Sequence, residues 1–333
     1  MKQDFNASSA TFDQNLIVFY NVENLFPPDK FSVRENKRKV SGLRNWNKER
    51  YENKLHKVGR VFELLEKEYS MLPDLIGVSE IQGSQPLEDL LKLPVFKSEY
   101  SFIHFESMDE RGVDVALLYN HSNVKIEKAE PLVYFFEIPD LDPENYDTTR
   151  DVLHTTVRIG SEALELYIVH LPSKRSDDVN LPKRRYILSE INKRVEEHLK
   201  QNESVVVLGD FNEDPEHPQM LEFLEGSHGP LLFNPFRSLY REKKYSTFHH
   251  NRGLLFDQII LSHDLIGEKK EGLTFKYASV FNHPQISNFD RKNSHRPFRT
   301  YAGTRYLGGY SDHFPVLLRL SNQNKQQENE THF

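Results

Sequence analysis

The sequence predicts an α/β protein folded as one large unit over residues 12–322. Three observations lead there. Eight short, apolar, β-rich runs alternate with a few helical stretches along a chain of 333 residues. Several runs are continuously apolar, the pattern of strands buried on both faces. The polar residues of chemical interest are scattered from Asn21 to His313, with no repeat and no Gly/Ser linker between halves. Only a chain that closes on itself can gather them.

The first expected strand is 16–20. A helix follows, because Tyr51, Leu55, Val58, Phe62, Leu65 and Tyr69 recur at three- and four-residue spacing and Pro73 stops the pattern. Strands are expected at 75–78, 113–119, 153–159 and 164–169. Leu188, Ile191, Val195 and Leu199 mark a second helix, with Pro182 suited to its first turn, where a missing N–H is harmless. Strands at 205–208, 258–261 and 315–320 complete the series. The polar ends, 1–11 and 323–333, are expected to be flexible.

Composition narrows the class. Charged residues at 28% and apolar ones at 37% suit a globular protein, and no apolar run is long enough to cross a bilayer. The start, Met1-Lys2-Gln3-Asp4-Phe5-Asn6, lacks the apolar stretch of a secretory signal, so the chain reads as cytoplasmic. With no cysteine, disulfides and thiolate metal sites are excluded, and any metal must be held by oxygen or imidazole. No protein partner can be inferred.

The net charge of -7 argues against a non-specific nucleic-acid binder, but the basic residues bunch at 34–39, 44–57, 174–175 with 183–185, and 291–305. One such bunch is an ordinary solvated face. Four, each beside a candidate motif, are harder to set aside. Lys183, Arg184 and Arg185 fall in the first turn of the second helix, where the macrodipole disfavours cations by roughly 0.3–1 kcal/mol each. An anion held there would offset the cost, so the cluster Lys183, Arg184 and Arg185 is read as phosphate-facing, and Lys174, Arg175, Arg184 and Arg185 are expected to bind substrate.

The chemistry concentrates at strand ends. Gly209-Asp210-Phe211-Asn212 follows an apolar strand, where α/β proteins place reacting groups, although Gly, Asp and Asn are also ordinary turn residues. Glu80 closes another apolar strand, and one carboxylate can anchor a hard cation that keeps most of its waters. His170 stands between a strand and a basic loop, able to donate to a phosphoryl oxygen or to sit satisfied in the core. Asp257 lies within an apolar stretch and needs a partner there. His313, in Gly309-Tyr310-Ser311-Asp312-His313-Phe314-Pro315-Val316, is the natural one, since a carboxylate fixes an imidazole's tautomer and stabilises its cation. Asn21, in Asn21-Val22-Glu23-Asn24, and Asp312 complete the set.

In this order the motifs resemble those of the endonuclease/exonuclease/phosphatase superfamily. They include Tyr20-Asn21-Val22-Glu23-Asn24-Leu25, Val78-Ser79-Glu80, Gly112-Val113-Asp114-Val115-Ala116, Val169-His170-Leu171-Pro172-Ser173, Gly209-Asp210-Phe211-Asn212, Phe256-Asp257-Gln258-Ile259-Ile260 and Ser311-Asp312-His313. Within it, Phe298-Arg299-Thr300-Tyr301 and Leu307-Gly308-Gly309-Tyr310 are similar to bacterial members labelled endonucleases. The resemblance implies a four-layer, DNase I-like α/β sandwich of two mostly antiparallel sheets flanked by helices. It also implies roles: Asn21, Glu80 and Asp312 at Mg²⁺ (Mn²⁺ as an alternative ion), Asp210 on the attacking water, and Asn212 and His170 on the phosphate. His313, oriented by Asp257, would act on the phosphate or as general acid/base. Gln82 departs from the lysine of abasic-site enzymes, which disfavours that subfamily.

The resulting expectation is a Mg²⁺-dependent phosphodiesterase with nucleic acid as substrate, supported by the basic bunches and by Trp46 and Tyr51 among Arg44, Lys48 and Arg50. Such interleaving can stack bases, though Trp46 can equally pack under the helix it precedes. The alternative is a phosphatase or phosphodiesterase acting on a phospholipid headgroup, inositol phosphate or other small phosphoester. A non-catalytic binding module on the same scaffold would have lost a catalytic residue, and none is missing.

Overall fold

The computed structural model describes residues 13–29, 43–109, 111–137, 146–174, 178–227, 229–267 and 271–323. Twelve of its strands form two sheets of six. In chain order these are β1 (Asp13–Leu25), β2 (Leu75–Ile81), β3 (Tyr100–His104), β4 (Asp114–Asn120), β5 (Val124–Leu132), β6 (Val152–Ile159), β7 (Glu162–His170), β8 (Ser204–Asp210), β9 (Leu232–Phe233), β10 (Asp257–Ser262), β11 (Gly272–Val280) and β12 (Val316–Gln323). The first sheet runs β11-β12-β1-β2-β4-β3 and the second β9-β10-β8-β7-β6-β5. The helices are α1 (Lys48–Tyr69), α2 (Gln85–Leu91), α3 (Leu181–Lys200), α4 (Pro218–Phe223) and α5 (Phe236–Arg241).

Each sheet contains one parallel pair, β1 with β2 and β7 with β8, and is otherwise antiparallel. A parallel pair needs a long crossover, and the two long helices supply it. α1 starts where Asn47 accepts a hydrogen bond from the Arg50 amide at 3.0 Å, and stops at Ser70 with φ of 58°.

The sheets pack face to face. At Gly77 of β2 an added Cβ would lie 3.0 Å from Leu208 of β8 and 3.4 Å from Ile168 of β7. The continuous apolar runs follow from burial on two sides. Val206 and Leu208 point into the core between the sheets, whereas Val205 and Val207 pack with Ile187, Ile191 and Val195 of α3 in a second, outer core. Each such side chain, fully buried, contributes roughly 1.5–3 kcal/mol. This is the expected α/β sandwich.

The aromatic–basic stretch beside α1 packs inward. Trp46 is 1% exposed, donates from Nε1 to the Phe26 carbonyl at 2.9 Å and rests on Tyr301, and Tyr51 is also buried. Neither ring is available to stack a base; apolar area outweighs the neighbouring charge.

Candidate active site

The two parallel pairs end at the same place. Asn21 of β1, Glu80 of β2, His170 of β7 and Asp210 of β8 lie at their C-terminal ends. The Asn21 side-chain amide donates to Glu80 Oε1 at 3.3 Å and across the sheet interface to Asp210 Oδ2 at 3.1 Å. Antiparallel β10 begins opposite, with Asp257 in register with Asp210. Asp257 Oδ2 is 2.6 Å from His313 Nδ1. His170 Nε2 lies 3.8 Å from Asp210 Oδ2.

The backbone departs from regular geometry here. Glu23, Asn24, Glu80 and Asn212 have φ of 50°, 56°, 65° and 52°, a region that costs a non-glycine residue roughly 1–3 kcal/mol and persists only when its surroundings hold it. The ladder slips between Ser79 and Ile81, so Glu80 leaves the pleat. It is then held by the Asn24 amide, which donates to Glu80 Oε2 at 2.9 Å.

Burial and charge set the protonation. Asp210 is 2% exposed; burial and the Asp257 carboxylate push it up to about 7, against the pull of His313 and hydrogen bonds from Asn212 and Asn21. Burial opposes the charge on His313, but Asp257 overrides it and holds the imidazole well above its ordinary value. His170 is driven the other way, by burial and by Arg150 and His313, and stays neutral. One fold thus pairs a cationic histidine with a neutral one.

The remaining residues expected at the site fall into three groups. Asn212 follows β8; its amide donates to Asp210 Oδ1 and its side chain to the Leu171 carbonyl, both at 2.9 Å. Asp312 meets Arg299 Nη2 at 3.0 Å. Arg175 lies outside the described residues, and Lys174 Nζ pairs with Glu213 Oε2 at 2.5 Å.

The structure does not bring Arg184 or Arg185 into the cluster. Arg184 is fully buried between Glu213 (2.6 Å) and Asp178 (2.7 Å), and Arg185 pairs with Glu222 on the surface. The anion that offsets cations at the start of α3 is the protein's own carboxylate, not a phosphate.

Three groups at the site were given no role from the sequence. Glu23 is buried and accepts from the Thr300 and Tyr301 amides at 2.6 and 3.1 Å. Lys54 of α1, fully buried, donates to Thr300 Oγ1 at 2.6 Å and the Tyr310 carbonyl at 2.5 Å. Burial, then Asp312, raises Glu23 to about 7, and burial lowers Lys54 to about 8 against the attraction of Glu23. Together they fix the segment that carries Arg299 and leads to Asp312. A lysine between Tyr51 and Leu55 on an apolar helical stripe was the available signal. Arg150, 7% exposed and bonded to the Leu171 carbonyl, had none.

The donors fit a hard divalent cation. Glu80 and Asp210, both carboxylates, converge on the positive end of one amide, and the cluster holds no sulfur ligand.

The sequence matches the endonuclease/exonuclease/phosphatase family over residues 16–322. No curated protein matches it significantly. Among solved structures, an endonuclease/exonuclease/phosphatase family protein from Bacteroides thetaiotaomicron is 15% identical, with a TM-score of 0.57 covering 94% of this chain and 99% of that one. D. rerio TDP2 complexed with single strand DNA product is 17% identical, TM-score 0.55, covering 92% and 98%. The Bacteroides thetaiotaomicron mannosyl-6-phosphatase Bt3783 is 16% identical, TM-score 0.56, covering 92% and 99%. Family match, shared sandwich and strand-end constellation agree: the chain belongs to the endonuclease/exonuclease/phosphatase family, a family of phosphoesterases.

Proposed function

We propose that this protein is a divalent-metal-dependent phosphodiesterase that hydrolyses nucleic-acid phosphodiester bonds by in-line attack of water. The observation that carries the reading is the convergence of Asn21, Glu80 and Asp210 on one side with the Asp257–His313 dyad and neutral His170 on the other. Held by Glu80 with Asn21 and Asp312, Mg²⁺ or Mn²⁺ would supply Lewis-acid charge to the phosphoryl oxygens. Asp210, poised near neutrality, takes a proton from the attacking water. His313 presents a positive N–H, oriented by Asp257, to charge developing on phosphorus-bound oxygen. His170 donates a neutral hydrogen bond to the same group. Glu23 and Lys54 act at one remove, as positioning residues.

Arg111, which donates to Asn24 Oδ1 at 2.8 Å, and Arg299 stand at the rim and suit the flanking phosphates of a polymer. A second reading has its own observation: Lys174, Arg184 and Arg185 are engaged by the protein's acids, which favours a small phosphoester. The fold neighbours include both a DNA complex and a sugar phosphatase and do not choose.

The test is hydrolysis of plasmid DNA, structured RNA and a generic bis-aryl phosphodiester, with Mg²⁺ and with EDTA, beside Asp210→Ala. Metal-dependent polymer cleavage lost in Asp210→Ala supports the proposal. Cleavage of the generic diester alone moves the substrate to the small phosphoesters, and metal-independent activity sinks the mechanism.

A further inference from the structure

We infer that His154, Glu165 and His198 form a second metal site, for a late first-row divalent ion of the zinc type, on the outer face of the second sheet. Three elements supply the donors, β6, β7 and the last turns of α3, and one donor atom from each lies within 4.8 Å of the others. Strand register explains the juxtaposition. His154 pairs with Tyr167 and Thr156 with Glu165, so the period of two puts all four side chains on one face. His198 closes over them, its ring centroid 5.4 Å from that of His154.

The hydrogen bonds behind each imidazole make this more than a polar cluster. His154 Nδ1 is 3.1 Å from Glu130 Oε1, and His198 Nδ1 is 2.7 Å from Glu203 Oε2. At His198 the carboxylate on Nδ1 keeps the proton of a neutral ring there and leaves a lone pair on Nε2; His154 is flanked by a carboxylate at each nitrogen. Both Nε2 atoms face Glu165 Oε2, at 2.7 Å from His154 and 3.9 Å from His198.

Three potential ligand atoms meet at one point, two of them from buried residues. Without the ion a proton bridges His154 and Glu165 and the Tyr167 hydroxyl donates to His198 Nε2 at 2.9 Å; a divalent ion would take the place of both and bind all three ligands together. Thr156 Oγ1 donates to Glu165 at 3.0 Å. Lys128 and Arg194 approach Glu130, behind the donors.

Two imidazoles and one carboxylate without thiolate suit Zn²⁺ better than Mg²⁺. Carboxylates behind ligating histidines are the outer shell such ions require. The His198 side chain is 19% exposed, which gives an approach from solvent. The site is separate from the phosphoester centre. Glu165 precedes His170 on β7 by about 16 Å of strand and, at odd spacing, faces the other way. An ion there would tie the end of α3 to the sheet.

The experiment strips the full chain with chelator, then titrates it with Zn²⁺ by calorimetry and with Co²⁺ by visible absorption. His198→Gln, Glu203→Gln and Glu80→Gln are run beside it, the last removing the anchor of the catalytic metal. One Zn²⁺ equivalent is expected to survive Glu80→Gln. It should weaken about tenfold in Glu203→Gln and about a hundredfold or more in His198→Gln. Co²⁺ should give the intense bands of tetrahedral coordination in the parent and in Glu80→Gln but not in His198→Gln. Zn²⁺ should raise Tm in the parent and not in His198→Gln. No Zn²⁺ binding in the parent, binding unchanged in both His198→Gln and Glu203→Gln, or binding that disappears with Glu80→Gln would each overturn the assignment.

Discussion

Asp257 gives one carboxylate oxygen to His313 and keeps the other, Oδ1, buried without a hydrogen bond among the described residues. Its charge holds the imidazole cationic, so Asp257→Asn is expected to lower kcat by about 10²–10⁴ while the circular dichroism spectrum is kept. A kcat within about threefold of the parent would remove His313 from the chemistry. Asp151 shows the opposite economy. Burial, then Asp114, raises it from 3.8 to about 6, and its Oδ1 has no hydrogen-bond partner among the described residues. A carboxyl raised in the folded state stabilises below its unfolded pKa and loses that contribution as pH rises through the folded one. The loss therefore runs from about pH 4 to pH 6. Asp151→Asn should gain about 1–2 kcal/mol over the parent above pH 6 and nothing below pH 4, read as Tm against pH; a pH-independent difference would refute it. Residue by residue, the sequence revealed groups that end apolar strands, such as Glu80, His170 and Asp210. It concealed those made functional by contacts across the fold, as when Glu23 receives the amide of Thr300, 277 positions away.

At the scale of elements, legibility followed position in the sheet. The eight expected strands are β1, β2, β4, β6, β7, β8, β10 and β12, which are the interior strands of the two sheets. Of the twelve strands in these sheets, the four that were missed, β3, β5, β9 and β11, are the edges. The reason is physical: an edge strand is partly solvated and carries charge against unwanted pairing, as Val124–Leu132 does with Lys125, Glu127, Lys128 and Glu130. The apolar signal exists only where both faces are covered. The short helices α2, α4 and α5 were missed as well, since six or seven residues hold too few turns to show a period. Gly209 shows how an element aims Asp210, the residue proposed to activate water. It pairs with Val169 in the parallel ladder, and a Cβ there would stand 2.0 Å from the Val169 carbonyl oxygen. Gly209→Ala must push β8 from β7, moving Asp210 and His170 apart. It is expected to cost about 2–3 kcal/mol in urea denaturation together with most of the activity. Unchanged stability would mean that the ladder yields without cost.

For the molecule as a whole the open matter is polymer against small phosphoester, and charge decides it. The net charge of -7 repels a polyanion at long range, and much of the basic charge outside the site is spent internally: Arg184 on Glu213, Arg185 on Glu222, Lys183 on Asp147, Lys48 on Glu52. Lys54, from the same bunch as Lys48, is buried behind the site and cannot meet solvent phosphate. Arg111 and Arg299 remain at the rim, next to Asn24 and Asp312. Each phosphate that they neutralise on duplex DNA releases condensed counterions, so the slope of log K against log[salt] should be about -2. Removing Arg111 should reduce it by about 1 at every sequence tested, because a phosphate contact carries no base information. Arg299 is the poorer probe, since its loss also strips Asp312 and Glu23 of a cation. The measurement is fluorescence anisotropy of a labelled duplex on Asp210→Ala, with and without Arg111→Ala, across a salt series. A slope near zero would withdraw nucleic acid as the substrate and assign the same catalytic cluster to a small phosphoester, whose single phosphate engages the site without displacing a counterion atmosphere.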